Sequence, residues 1–177
     1  MIDTKISSRK HQRGFSLLEL AIVIAVIAVL VIFVVRTSSS VSSTRKASAE
    51  VKGLAALIQS AKTYKTGGIY GAGSLVPSLI AGNQIPGEVA KVGAALNNQW
   101  GGAITIVGAG TLLTVQDTAV SGDACEAVVM GIGGGDSTMV TTVGGNVAVV
   151  ANNAVSATAA ETACGTGAQT IVITTSA

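Results

Sequence analysis

From Phe15 to Val35 the chain runs for 21 residues with only Ser16 and Glu19 as polar side chains. No other feature restricts its folding as strongly. A helix of that length rises about 31 Å, close to the hydrocarbon thickness of one bilayer. Glu19 is the anomaly in it. An ionised carboxylate deep in lipid costs on the order of 2.5–3.5 kcal/mol on insertion scales. It therefore either sits at the headgroup level without a partner or meets a cation that offsets the cost.

The charges around this run set its orientation. Of 11 basic and 9 acidic side chains, four basic ones (Lys5, Arg9, Lys10, Arg13) and one acidic one (Asp3) precede Gly14, leaving seven and eight beyond it. The net charge of +2 thus comes from the N-terminal segment and gives no reason to expect a nucleic-acid ligand. Cations before an apolar span hold that end in the cytoplasm by the positive-inside rule. A secretory signal peptide is the competing reading, but its apolar region is about 7–15 residues long. Here the run is longer, and Arg36 follows it without a small-residue cleavage site. Further on, Arg36, Arg45, Lys46, Lys52, Lys62 and Lys65 face only Glu50 within residues 36–66, while residues 67–177 hold one lysine, Lys91, against six acids. This reads either as ordinary solvation or as a basic stalk and an acidic head that attract one another between copies of the chain.

Beyond Val35 the helix is expected to continue. Thr44, Ala47, Val51, Leu54, Ala55, Ile58 and Ala61 recur at spacings of three or four, and Arg45, Ser48, Lys52, Gln59 and Lys62 occupy other faces. No proline occurs before Pro77. The spacing predicts one helix over 16–65, with weak points at the hydroxyl-rich 37–43 and at Gly53, ended by Gly67-Gly68. After that, short helices are expected over 74–82 and 86–96. A hairpin should follow over 103–107 and 111–116 about a Gly108-Ala109-Gly110 turn. A helix over 123–130 is expected, with Asp123 and Glu126 as a capping box and Gly131 closing it. A strand over 146–150, a helix over 155–164 and a final strand over 169–175 complete the reading. These elements describe an α+β fold, an N-terminal helix packed on an antiparallel sheet.

The stretch Arg13-Gly14-Phe15 with Glu19 four residues after the phenylalanine, leading into the apolar run, resembles the N-terminus of type IV prepilins. The resemblance implies cleavage by a prepilin peptidase between Gly14 and Phe15 and N-methylation of the new terminus at Phe15. It also implies the type IV pilin fold, with residues 1–14 as leader, 15–35 as membrane and filament-core helix, 36–66 as its amphipathic continuation and 67–177 as the head. The precursor would be an inner-membrane protein with a periplasmic head, handed by an inner-membrane assembly machinery into a homopolymer. Glu19 would pair with the amino group at Phe15 of a neighbouring subunit. Ala21, Ala25 and Ala28 lie near one helical face and would permit close helix approach. Asn98-Gln99-Trp100-Gly101-Gly102 before Ile104-Thr105, and Cys164 before a last Val/Ile/Thr-rich strand, resemble the plasmid-type thin-pilus pilins of type IVb. The 14-residue leader and the Phe at the cleavage site depart from the common type IVb pattern. On the non-cytoplasmic side a disulfide between Cys125 and Cys164 is expected, two buried free thiols being the alternative.

Catalysis finds little support. The single histidine is His11, in the leader, so a Ser-His triad, a Cys-His pair and His-ligated metal sites are excluded beyond it. The glycine clusters match neither GxGxxG nor GxxxxGK[ST]. Asp117, Asp123 and Asp136 lack the spacing of a Ca²⁺ loop, and no cofactor is implied. Trp100 is expected to pack against the core rather than to stack on a ligand. The remaining readings are a minor pilin or secretion pseudopilin and, from another class, a monomeric signal-anchored periplasmic binding protein or enzyme.

Overall fold

One long helix and a sheet that is covered on a single face account for most of the ordered chain. The computed structural model describes residues 17–133, 138–149 and 156–176, the side chains of 33–40 and 149 aside. It divides into two units, Met1–Ser40 and Val41–Ala177. Helix α1 runs from Leu17 to Lys62, ending three residues sooner than the spacing predicted. Its last turns close through Thr63 N–H to Ser60 O and Tyr64 N–H to Ala61 O. Gly67 and Gly68 then adopt φ of +63° and +84° in a tight turn bridged by Thr66 and Ile69, a conformation in which glycine has no Cβ penalty.

In the second unit the buried stripe of α1 is Ala47, Glu50, Leu54, Leu57, Ile58 and Ala61. Thr44 and Ala55, expected on that stripe, are exposed. The stripe is rotated toward Glu50 and Leu57, so the one acid in this half of the helix faces inward. Gly53 is not a weak point in the packing: a Cβ there would lie 2.9 Å from Val89 Cγ2, so its absence lets Glu88 and Val89 approach the helix.

The sheet follows in sequence as β1 Ala72–Ser74, β2 Ala90–Val92, β3 Ala95–Asn97, β4 Ala103–Ala109, β5 Leu112–Val120, β6 Met139–Val143, β7 Asn146–Val149 and β8 Gln169–Ser176, with helices α2 Val76–Ala81, α3 Gly122–Gly133 and α4 Ala157–Cys164 between them. Its order is β2-β3-β4-β5-β8-β6-β7, with β1 also on β4, and every pairing is antiparallel. Alternation is regular: Ile104 and Ile106, Leu113 and Val115, Met139 and Val143, and Ile171 and Ile173 are buried, while Thr105, Val107 and Gln116 beside them are exposed and Val172 and Thr174 half-buried. Period two thus gives one core face, and that face shares a single hydrophobic core with α1, α3 and α4.

Several expectations need correction. The segment 86–96 is not helical. Gly93, at φ +62°, turns β2 back onto β3, and pairing with β4 overrides the helical preference of its alanines. The turn of the central hairpin is Gly110-Thr111, because Gly108 and Ala109 pair with Leu113 and Leu112 inside the ladder. Gly131 does not close α3. It lies within the helix, where a Cβ would come 2.7 Å from Val51 Cγ2, so α3 and α1 meet there by virtue of a missing side chain. α3 begins with Ala124 and Cys125 N–H on the Ser121 carbonyl.

Cys125 of α3 and Cys164 of α4 form a disulfide, with Cα atoms 5.7 Å apart. α4 is capped at its other end by Ser156, whose hydroxyl accepts from Ala159 N–H. The bond closes a loop of 39 residues in sequence separation, worth about 4 kcal/mol by chain entropy. The double substitution Cys125→Ser/Cys164→Ser should therefore shift the urea midpoint downward by the equivalent of about 2–5 kcal/mol. A midpoint within error of the wild type would show that the packing of α3 and α4 suffices without it.

Candidate assembly segment and the polar node of the head

Within the first unit the described side chains from Leu17 to Ile32 are all exposed. Leu17, Leu18, Ile22, Ile24, Val29 and Ile32 each present more than half of their surface. Glu19 is exposed as well and stands in the first turn of α1, where the helix dipole favours an anion. Ala25 leaves a shallow apolar notch bordered by Ile22, Val26, Val29 and Leu30. Ala21 and Ala28 do not line it. Gly14 and Phe15 lie outside the described residues. Among the described residues no helix is long and apolar enough to cross a membrane. Chemically, this segment offers an uncovered apolar surface and a single carboxylate near its start.

In the second unit the conspicuous site is a polar node inside the core. It forms where α1, the loop after β3 and the end of β5 meet. Asn98 is its centre and is 4 % exposed. Its Oδ1 accepts from Trp100 N–H at 2.9 Å and Gly102 N–H at 2.7 Å. Its Nδ2 donates to Asp117 Oδ1 and to the Thr118 carbonyl, both at 2.7 Å. The four bonds fold Asn97–Gly102 into a compact turn and tie it to β5. Gly102 has no room for a side chain, since a Cβ would fall 1.8 Å from the Thr118 carbonyl oxygen. β5 is irregular at this point: its register against β8 shifts between Asp117 and Val120, and Ala119 takes φ +56°, the signature of a bulge.

Glu50 reaches the same turn from α1 and accepts from Gln99 N–H at 2.9 Å through Oε2. The Gln99 side chain donates to the Glu88 carbonyl. Trp100 is half-buried and packs against the core, as expected. Glu50 is 1 % and Asp117 0 % exposed, and neither Glu50 Oε1 nor Asp117 Oδ2 has a hydrogen-bond partner. Burial raises the Glu50 carboxyl above its ordinary value, against the opposing Gln99 N–H. Asp117 is pushed up to about 7, first by burial and then by the Glu50 charge, with the Asn98 hydrogen bond opposing.

Sequence reasoning singled out Asn98–Gly102, but it placed Glu50 only as the single acid among the cations of 36–66 and weighed Asp117 only as a Ca²⁺ ligand. The available signal was position: Glu50 lies three residues after Ala47 and four before Leu54, on the inward stripe. Asp123 stands in the first turn of α3, far along the chain from Asp117's partners, and Asp136 lies outside the described residues. Among the described residues no three His, Cys, Asp or Glu side chains group as metal ligands.

The family described as PilS N terminal matches residues 44–176, and the prokaryotic N-terminal methylation motif matches residues 9–35. No curated protein sequence matches. Among solved structures, the chain is similar to TcpA, a type IV pilin from Vibrio cholerae El Tor biotype, at 15 % identity over 75 % of this chain and 99 % of that one, with a TM-score of 0.56. It is also similar to a type IVb pilin from Salmonella typhi, at 20 % identity over 77 % of this chain and 97 % of that one, with a TM-score of 0.49. The first of these shows a shared fold.

The node can be tested without reference to any relative. Asn98→Ala removes four hydrogen bonds and strands the Trp100 and Gly102 N–H groups, at about 1–3 kcal/mol for each buried group left unpaired. It should therefore destabilise the head by about 3 kcal/mol or more in denaturant unfolding, well beyond the loss expected for an exposed asparagine.

Proposed function

We propose that this chain, which belongs to the PilS family of type IV pilins and is a structural pilus subunit rather than an enzyme, is the major pilin of a type IVb thin pilus. Cleavage by a prepilin peptidase between Gly14 and Phe15 would remove residues 1–14, and methylation would follow at Phe15. The observation that carries this reading is the coincidence, within one match to the N-terminal methylation motif over 9–35, of Gly14-Phe15, a lone Glu19 and an apolar surface left open from Leu17 to Ile32.

The physics of assembly follows from that coincidence. Before cleavage the apolar run is held by the inner membrane, with the basic leader in the cytoplasm and the head in the periplasm. After cleavage Phe15 carries an amino terminus four residues from Glu19. Two charges that are expensive in lipid then exist on each subunit. The amino group of one and the Glu19 carboxylate of the next can cancel at close range in a bundle of such helices. Apolar side chains from Leu17 to Ile32 pass from lipid contact to helix contact, so the transfer involves little hydrophobic change, and the ion pair supplies register and direction. The inner-membrane assembly machinery and further copies of the chain are the partners, and nucleic acid is not a direct ligand. Residues 15–35 form the filament core, 36–66 its continuation and 67–177 the outward head. The filament would serve adhesion, aggregation or mating-pair stabilisation in conjugation.

Mass spectrometry of the protein from surface filaments should find an N-terminal methyl-Phe15. An uncut N-terminus would instead support the alternative, a monomeric signal-anchored periplasmic protein. Glu19→Val should leave processing and membrane insertion intact while lowering filament yield at least tenfold by electron microscopy. Normal filaments from that variant would refute the pairing of Glu19 with Phe15.

A further inference from the structure

The node of the head contains more negative charge than its surroundings can neutralise. Glu50 comes from α1 and Asp117 from β5. Each has one oxygen bonded to the loop after β3 and one oxygen without a partner. The cross-strand neighbours of Asp117 are Ile104 on β4 and Ile171 on β8, both buried and apolar. The side chain that faces it from the loop, Asn98, is neutral, and the charge acting on it from α1 is Glu50. No cation of the described residues bears on either carboxyl. Two ionised carboxylates with apolar walls and no counter-charge are a costly arrangement, whereas one bound proton removes half of the charge and turns an orphan acceptor into a donor.

We propose that Glu50 and Asp117 together retain one proton in the folded head, and that loss of this proton as the medium passes from acidic to neutral loosens the hold of α1 on the sheet, making the pair a pH-sensitive latch in the core. The proton resides mainly on Asp117, which lies deeper and feels the Glu50 charge. The unfolded chain releases such a proton in the ordinary carboxylate range, near 4. The folded head keeps it until about 7. Between those values the folded state binds more protons than the unfolded state. The latch contribution is therefore complete below about 4, declines as pH rises, and is gone above about 7. The raised Glu50 carboxyl acts in the same direction. Because α1 carries one member of the pair and the sheet the other, the change is felt at their junction rather than at the surface.

Urea unfolding of the full chain in detergent micelles tests this, with Asp117→Asn as the reference. Asparagine keeps the oxygen that Asn98 contacts and carries no titratable proton. From pH 5 to 6 the unfolding constant of the wild type should rise about tenfold relative to that variant, and from pH 6 to 7 about fivefold. Parallel pH profiles would overturn the proposal. Glu50→Gln serves if Asp117→Asn does not fold. It removes the charge that pushes Asp117 upward, so the midpoint of the pH dependence should move to lower pH, and an unmoved midpoint counts against the pair. Two direct readouts complete the test. Infrared spectra at pH 6 should show a protonated-carboxyl band that Asp117→Asn lacks. Amide exchange in α1 from Ala47 to Ala61 should accelerate between pH 6 and 8.5 beyond the intrinsic rate change in the wild type only. Absence of the band, or equal protection in both proteins, would refute the latch.

Discussion

The packing of the head depends on how a carboxylate from a helix is accommodated beneath a sheet. Glu50 lies on the inward stripe of α1, among Ala47, Leu54, Leu57 and Ile58, where any ordinary design would place an apolar residue. Its Oε2 is met by the backbone N–H of Gln99, and that N–H is available because Asn98 has already folded Asn97–Gly102 into a turn anchored on β5. The chain of dependence passes through helix, loop and strand. Gly102 belongs to it by having no Cβ to collide with Thr118, and the bulge that follows Asp117 places the Thr118 carbonyl where Asn98 can reach it. A buried polar network of this kind adds less net stability than a well-packed apolar core. Its effect is geometric: it defines the place at which α1 can lie against the sheet, since sliding the helix would leave more polar atoms unpaired.

The two units use the same helix in opposite ways. Between Val41 and Lys62 the side chains separate into a buried stripe and a solvated remainder. Between Leu17 and Ile32 they do not separate at all, and apolar groups point outward on every side. A helix apolar all round is a surface that must be covered by something other than its own chain. Nothing in its own chain covers that surface among the described residues, whereas the second unit has its own core and is closed by the Cys125–Cys164 bond.

Much of this architecture is readable from local pattern. The β4–β5 hairpin, α3, α4 and the last strand each leave a signal within a dozen residues or so, and the apolar run and the helix that continues it leave one by their length. What was not readable depends on partners distant in sequence. The Ala-rich segment before Asn97 has a helical composition and becomes β2 and β3 because β4 offers a ladder to it. β6 carries a strand composition of its own, Val140 to Val143 all being β-branched, but nothing local shows that its partner is β8. Gly131 resembles a helix stop until Val51 occupies the space its side chain would need. The same contrast holds for the sites. Gly14, Phe15 and Glu19 stand in one contiguous motif and are visible at once. Glu50 and Asp117 become a pair only when 49 residues of chain bring Gln99 back to the helix, and charge counting shows Glu50 only as the single acid of a basic stretch.

β8 follows every other strand in the sequence and yet lies inside the sheet, between β5 and β6. Both of its long edges are paired, over Leu112–Val120 on one side and Met139–Val143 on the other. Until it arrives, β5 and the β6–β7 hairpin have no ladder joining them, and the core lacks Ile171 and Ile173. The sheet is therefore closed by its last strand, inserted between partners that precede it in the chain, and every other pairing can form without joining its two halves.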